Sequence, residues 1–250
     1  MSRVYVINIG ANNSHSSTAR SPHFANGSFR FVSFPDPGGA LARNYPRPSW
    51  PFIRTTSYDT HDDPDWENLT YGDDCGYGRA GALQQVNEGD ILLFWGMLWR
   101  NLGNSWEHFD GHRGWYLLGS LRVAEILEGG HLPTLARPEH RARAERNVHF
   151  RQGPLPLTHR VFIGDARYST LFDRAVDLEV SREDGLLYRT MHTANGQPLA
   201  LNGTPKWYSS LRSCRSMWDL DVSNDRLLAA AVRDRIQMNN EYDLLADIAL

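Results

Sequence analysis

The side chains best suited to chemistry sit directly behind the first apolar run. The segment Gly10-Ala11-Asn12-Asn13-Ser14-His15-Ser16-Ser17-Thr18-Ala19-Arg20 crowds amide, hydroxyl, imidazole and guanidinium groups into one loop. Loops held by a rigid strand are disproportionately where binding and catalysis reside. Recognising a nucleobase takes a flat apolar surface for stacking, amides or hydroxyls for the base edge, and a cation for phosphate. Asn12, Asn13 and Ser14 offer the edge contacts, and Arg20 or the arginines between 137 and 151 offer the cation. Trp95, Trp99 and Trp106 offer the stacking surface. Each has a plainer structural use as well. Asn and Ser close turns through their own side chains, and a tryptophan alternating inside a strand, as Trp95 does, belongs first to the core.

Acid–base work would fall to His15 with a remote carboxylate, because Ser14 and His15, adjacent in sequence, do not face one another as a dyad. Gly164-Asp165-Ala166-Arg167-Tyr168-Ser169 brings an acid, a base and a phenol together at a strand end. The alternative for Asp165 is the N-cap of a helix containing Leu171 and Phe172. Lys206, beside Trp207 and Tyr208, is the only lysine among 26 basic residues, and its compact, titratable amine is something arginine cannot imitate. The expected acid–base residues are therefore His15, Asp165 and Lys206. The expected ligand-binding residues are Asn12, Asn13, Ser14, Arg20, Trp95, Trp99 and Tyr168.

Metal-ligand patterns are weaker. His108, Asp110 and His112 share one face of an extended chain, and His61-Asp62 is a lesser pair. Both lack a third, separated ligand of the kind a functional site requires. Cys75 and Cys214 have no Cys or His neighbour at zinc-finger spacing. No metal site is expected, and the sequence names no cofactor.

These residues must be positioned by a sheet. Val4 to Ile9 is a buried strand, Ser28 to Phe34 alternates as a half-buried one, and Ile91 to Trp95 is a central strand. Gly114 to Leu127 is a long apolar strand with Gly119 marking a bend or bulge, and Val161 to Ile163 is a short strand. The proline-rich stretch from Pro35 to Pro51, the acidic stretch running on to Gly81, and Gly96 to Arg113 read as loops. Helices are expected near Leu83–Val86, over Pro138–Asn147, and over Asp225–Gln237 behind a Ser223 or Asn224 cap. The fold class expected is α+β, a mainly antiparallel sheet with peripheral helices, and residues 1–250 are read as one domain.

The chain has 250 residues, 41% hydrophobic and 22% charged, and is long enough to bury a substantial core. Its net charge of −3 argues against nonspecific attraction to phosphate. The charge is uneven. Seven acids and no Arg or Lys lie between Tyr58 and Asp74, whereas Leu135 to Arg160 holds six arginines against two glutamates. No apolar run is long enough to cross a bilayer, and no signal segment opens the chain, so a cytoplasmic location without membrane association is expected.

Several segments together resemble the third type of nucleotide-modification-associated domain. They are INIGANNSHSS, ARSPHF, NGSFRFVSFPDP, VNEGDILLFWGMLW, GWYLLGSLRVAEI, RNVHF and FIGDARYS, which cover most of residues 3 to 172. The resemblance implies a role near modified DNA bases, with a nucleotide or DNA base and base-modification enzymes as partners in phage or bacterial settings. A fainter likeness, carried by GDILLFWG and GWYLLGSLRVAEI, is to PUA-like barrels of the EVE and ASCH types, and implies a barrel form of the sheet. The function expected is binding of a nucleotide or modified base in the course of DNA base modification. The alternatives are a noncatalytic reader of modified bases and a hydrolase or lyase acting on free nucleotides.

Overall fold

The computed structural model describes residues 2–36, 43–55, 58–76, 80–129, 137–150, 156–177, 200–201, 204–205 and 214–248. Lys206, with Trp207 and Tyr208, lies outside the described residues, as does the side chain of Asn13.

The first strand, β1 (Arg3–Asn8), runs parallel to the long central strand β7 (Ile91–Asn101), with Val4 opposite Ile91 and Asn8 opposite Trp95. Its other edge pairs antiparallel with β13 (Cys214–Asp219). Further along the same edge of β7 comes β2 (Ser21–His23), again parallel, with Ser21 opposite Leu98. Residues 9–20 therefore leave the sheet and return to the edge they left. β8 (Phe109–Glu128) forms an antiparallel hairpin with β7. It then exchanges partners, pairing over 116–120 with β10 (Thr170–Asp177) and over 123–128 with β9 (His159–Gly164). β9 in turn carries β6 (Thr70–Asp74).

The result is α+β, with a mostly antiparallel eight-stranded sheet whose main path runs from β13 to β6. Among the described residues no ladder joins those two ends, so the sheet does not close into a barrel. A second sheet has β5 (Asp59–His61) between β3 (Phe34–Pro35) and β4 (Arg43–Asn44), and β11 (Ala200–Leu201) pairs with β12 (Thr204–Pro205). Among the described residues the α-helices are α1 (Pro138–Ala144) and α2 (Ser223–Gln237).

Near-continuous apolar runs in β1 and β7, whose successive side chains point to opposite faces, explain why both faces of the large sheet are buried. Val4, Val6, Ile91, Leu93, Trp95 and Trp99 pack with Ala229, Val232 and Ile236 of α2 and with Leu244 and Leu245 beyond it. Tyr5, Ile7, Leu92, Phe94 and Leu98 pack on the opposite face with Tyr71, Leu121 and Phe162. Each Val, Leu or Ile so buried contributes about 1.5–3 kcal/mol.

Several sequence expectations need correction. Of the expected 28–34 strand only Phe34 lies in a regular strand, β3, while residues 28 and 29 make isolated bridges to Arg174 and His23. The supposed loop from 35 to 81 contains β4, β5 and β6. Most of 96–113 is strand, and its polar composition reflects the exposed end of the β7–β8 hairpin. Residues after Asp165 form β10 and not a helix. Phe172 and Val176 are both buried four residues apart, a spacing that one face of a strand shares with one face of a helix, and the ladder with β8 skips from Leu171 to Val176. α2 has no side-chain N-cap from Ser223 or Asn224, and Asp225 Oδ2 instead accepts the Asp219 amide at 2.9 Å. The expected irregularity at Gly119 is present: Phe94 faces Gly119 and Trp95 faces Leu117, leaving Leu118 as the extra residue.

Candidate functional site

The first loop is anchored along its length. Ile9 N–H donates to Trp95 O at 2.9 Å, Ala11 N–H to Val32 O at 3.0 Å, and Arg54 N–H to Thr18 O at 2.7 Å. Gly10 turns the chain at φ +74°, a conformation that disfavours other residues, and a Cβ there would lie 2.8 Å from the Phe31 ring. Within the loop, Asn12 is buried, and its Oδ1 accepts both the amide (2.9 Å) and the hydroxyl (2.6 Å) of Ser14. This is the Asx-capped turn, and it commits that oxygen to the loop itself. His15 Nδ1 accepts the Asn12 amide at 3.3 Å, which selects the tautomer with its proton on Nε2.

The His15 ring stacks on Phe34 at 5.7 Å, and Phe34 stacks on His61 at 4.9 Å. His61 meets His149 edge to face at 4.8 Å, and His149 lies 5.3 Å from His159. Four imidazoles and one phenyl ring thus form a continuous array reaching from the first loop to β9.

At its centre His61 Nε2 is 3.1 Å from His149 Nε2, which is 3.6 Å from Asp63 Oδ2. Asp63 is fixed from two sides. The Gly72 amide donates to Oδ2 at 3.0 Å and to Oδ1 at 3.2 Å, and Asn147 Nδ2 donates to Oδ1 at 3.0 Å. The same Asn147 amide group donates to Thr70 Oγ1 and accepts the His149 backbone N–H, so one buried side chain locks both His149 and Asp63. A Cβ at residue 72 would lie 2.5 Å from the His149 ring, so this position on β6 takes glycine for the close approach of the imidazole. Burial pushes the Asp63 carboxyl up to about 6, against the lowering effects of His149, the Gly72 amide and Asn147.

Arg20, at the far end of the loop, lies with its guanidinium 4.5 Å over the Trp106 ring and 5.4 Å from that of Phe109. Arg54 stands over Trp106 at 5.2 Å. Partial burial, then the neighbouring Arg54 and Arg113 charges, lower the Arg20 pKa. Glu107 pairs with Arg54 at 2.9 Å. Arg20 and Arg54 therefore share the Trp106 ring beside Glu107, with Arg113 close enough for its charge to act on Arg20.

The other expected residues are elsewhere. Trp95 and Trp99 are 1% and 2% exposed, so neither can stack on a ligand; Trp95 packs against Trp115 at 4.5 Å. Asp165 Oδ1 accepts the Arg167 amide in the β9–β10 turn. The Tyr168 hydroxyl donates to Asp247, while the Tyr168 carbonyl accepts the Tyr242 hydroxyl at 2.7 Å. Asp165 and Tyr168 thus sit together where the chain after α2 docks, and Arg122 Nη1 holds that segment through Ala246 O at 2.6 Å. His108 accompanies Ser105, and Asp110 and His112 are engaged by Arg100, so that trio does not converge. Sequence reading passed over Asp63 and His149. The usable signal was the set of histidines at 61, 149 and 159 flanking the unrecognised strand β6.

Fold and site define an α+β protein whose first loop joins a histidine-rich cluster to a cationic hairpin end. The chain belongs to the family "nucleotide modification associated domain 3", whose model matches residues 3–216. No curated protein and no solved structure matches it. The family's name associates it with nucleotide modification. Among the described residues, no helix is long and apolar enough to cross a membrane.

Proposed function

We propose that this protein binds a nucleotide or a modified DNA base and takes part in DNA base modification. The observation that carries this reading is the stacking of Arg20 and Arg54 on Trp106, with Arg113 near enough for its charge to act on Arg20 and with Glu107 paired to Arg54. An indole face orients guanidiniums and keeps them weakly hydrated, and the planar fork of arginine suits phosphate oxygens. An excess of positive charge at one hairpin end attracts an anion even in a chain of net charge −3. The loop bearing Arg20 also bears His15, which touches the histidine array, so a phosphate held at one end of the loop leaves the attached base free to approach the other.

The test is fluorescence anisotropy with labelled oligonucleotides containing ordinary or 5-hydroxymethylated pyrimidines, and with labelled nucleotides. Wild type should bind at least one of these probes. Replacing Arg20 and Arg113 together by alanine should weaken that binding at least tenfold, since each lost charge-assisted contact costs about 1.5–3 kcal/mol. Unchanged affinity in a folded double variant would remove the hairpin end from the site.

A further inference from the structure

The histidine cluster has the geometry of a metal centre. Ligand atoms held about 2.0–2.2 Å from one ion lie about 3.0 Å apart when mutually perpendicular and about 3.5 Å apart at tetrahedral angles. His61 Nε2 to His149 Nε2, at 3.1 Å, and His149 Nε2 to Asp63 Oδ2, at 3.6 Å, correspond closely to those separations. All three donor atoms lie within 4.8 Å of one another, and His61 is the least buried of the three.

We propose that His61, Asp63 and His149 bind a single divalent transition-metal ion. Four features point the same way. Asp63 and His149 are buried, and their positions are set by Asn147 and the Gly72 amide, the outer hydrogen bonding that ligating carboxylates need. Gly72 provides the space in which the His149 ring lies. His61 and His149 both present Nε2, 3.1 Å apart, on the side where Asp63 Oδ2 lies. Two imidazoles with one carboxylate are the donor set of zinc, iron and their neighbours, and do not suit magnesium or calcium, which take oxygen ligands.

Three protein ligands leave coordination positions open, as in catalytic rather than structural sites. Phe34 stacks on the His61 ring and His15 on Phe34, which places the first loop beside the cluster. The metal site rests on the cluster's own geometry, and only its place beside a bound base rests on the function proposed above.

The test uses the full chain, stripped with chelator and titrated with Zn²⁺ by calorimetry and with Co²⁺ by visible absorption. One ion per chain should bind, with cobalt bands of a nitrogen- and oxygen-ligated ion. His61→Gln and Asp63→Asn should each weaken binding by more than about tenfold. His61→Gln, at the least buried ligand, is the variant expected to fold without difficulty, and Asp63→Asn keeps an acceptor for Gly72 and Asn147. A His108→Gln/His112→Gln variant should bind as wild type does. No stoichiometric uptake by wild type, uptake unchanged in folded His61→Gln, or uptake lost only with His108 and His112 would each overturn the assignment. Anisotropy on the metal-free protein reads nucleotide binding at the arginine cluster separately, so either idea can fail without the other.

Discussion

His61 and His149 are 88 positions apart in the chain and meet Nε2 to Nε2 at 3.1 Å. One comes from the acid-rich segment and the other from the arginine-rich segment, which the sequence presents as opposite poles. In the fold they are neighbours. Asp73 pairs with Arg160 and Asp74 with His159 across the β6–β9 ladder, and the Arg143 guanidinium donates to Asn68 O at 2.7 Å and Gly164 O at 2.6 Å. The arginines that looked available for phosphate are partly consumed in holding the acidic segment, and the cationic surface is built from Arg20, Arg54 and Arg113 instead.

Asn147 is the joint of this arrangement, fully buried and bonded to Asp63, Thr70 and the His149 amide. Asn147→Ala should destabilise the protein by roughly 1–3 kcal/mol, because it leaves buried groups without partners. Urea unfolding followed by tryptophan fluorescence measures this. A midpoint equal to wild type would mean the cluster is held by other contacts.

Trp95 and Arg113 should behave oppositely. Trp95→Ala should cost about 3–5 kcal/mol of stability through the cavity it leaves, with nucleotide affinity intact wherever the variant is still folded. Arg113→Ala should leave stability nearly unchanged, weaken DNA binding, and reduce the dependence of log K on log salt by about one. Paired melts and salt titrations decide it, and an affinity defect in folded Trp95→Ala would return that residue to the site.

His23 is half-buried against Tyr116 at 4.7 Å, and burial lowers its pKa, with Asp177 and the Gly27 backbone opposing. Below its ordinary value of about 6.5 the unfolded chain takes up a proton that the folded side chain resists. His23 should therefore cost nothing near neutral pH and should destabilise the fold as pH falls through that range. The loss of unfolding free energy between about pH 7.5 and about pH 5 should shrink in His23→Gln. An identical pH dependence in the variant would contradict the assignment.

Cys75 is 1% exposed, and burial, then the nearby Asp73 charge, push its thiol up to about 12. At about pH 8 it should stay protonated and resist iodoacetamide while the protein is folded, then react in urea. The same shift should erode stability as pH rises from 9 toward 12, where only the unfolded chain ionises this thiol. Mass spectrometry of the Cys75 peptide gives the answer, and rapid native labelling would show that the site opens.

The sequence made some of this legible and concealed the rest for identifiable reasons. β1, the first half of β7, the core of β8, β9, α1 and α2 announce themselves through apolar runs or helical spacing. β10 did not, because Phe172 and Val176 stand four residues apart, a separation that strand and helix share. The far half of the β7–β8 hairpin looked like loop because its end is polar and solvated. At the site, His15 and Arg20 stood out by residue type in a loop after a strand. Asp63 and His149 did not, since nothing local ties two residues that only the β6–β9 ladder brings together.

β1 and β2 occupy one edge of β7 in the same direction, each with its own register, and residues 9–20 are merely the excursion between them. Both registers are set by the ladders with β7, and the excursion adds its own anchors through Ile9, Ala11 and Thr18. If this loop holds the ligand as proposed above, exchanges at its exposed Ser14 and Ser17 should alter which molecule is recognised while the pairing of Val4 with Ile91 and of Ser21 with Leu98 stays in place. On that proposal the scaffold is inherited separately from the choice of ligand, and this loop is the place to graft a new specificity.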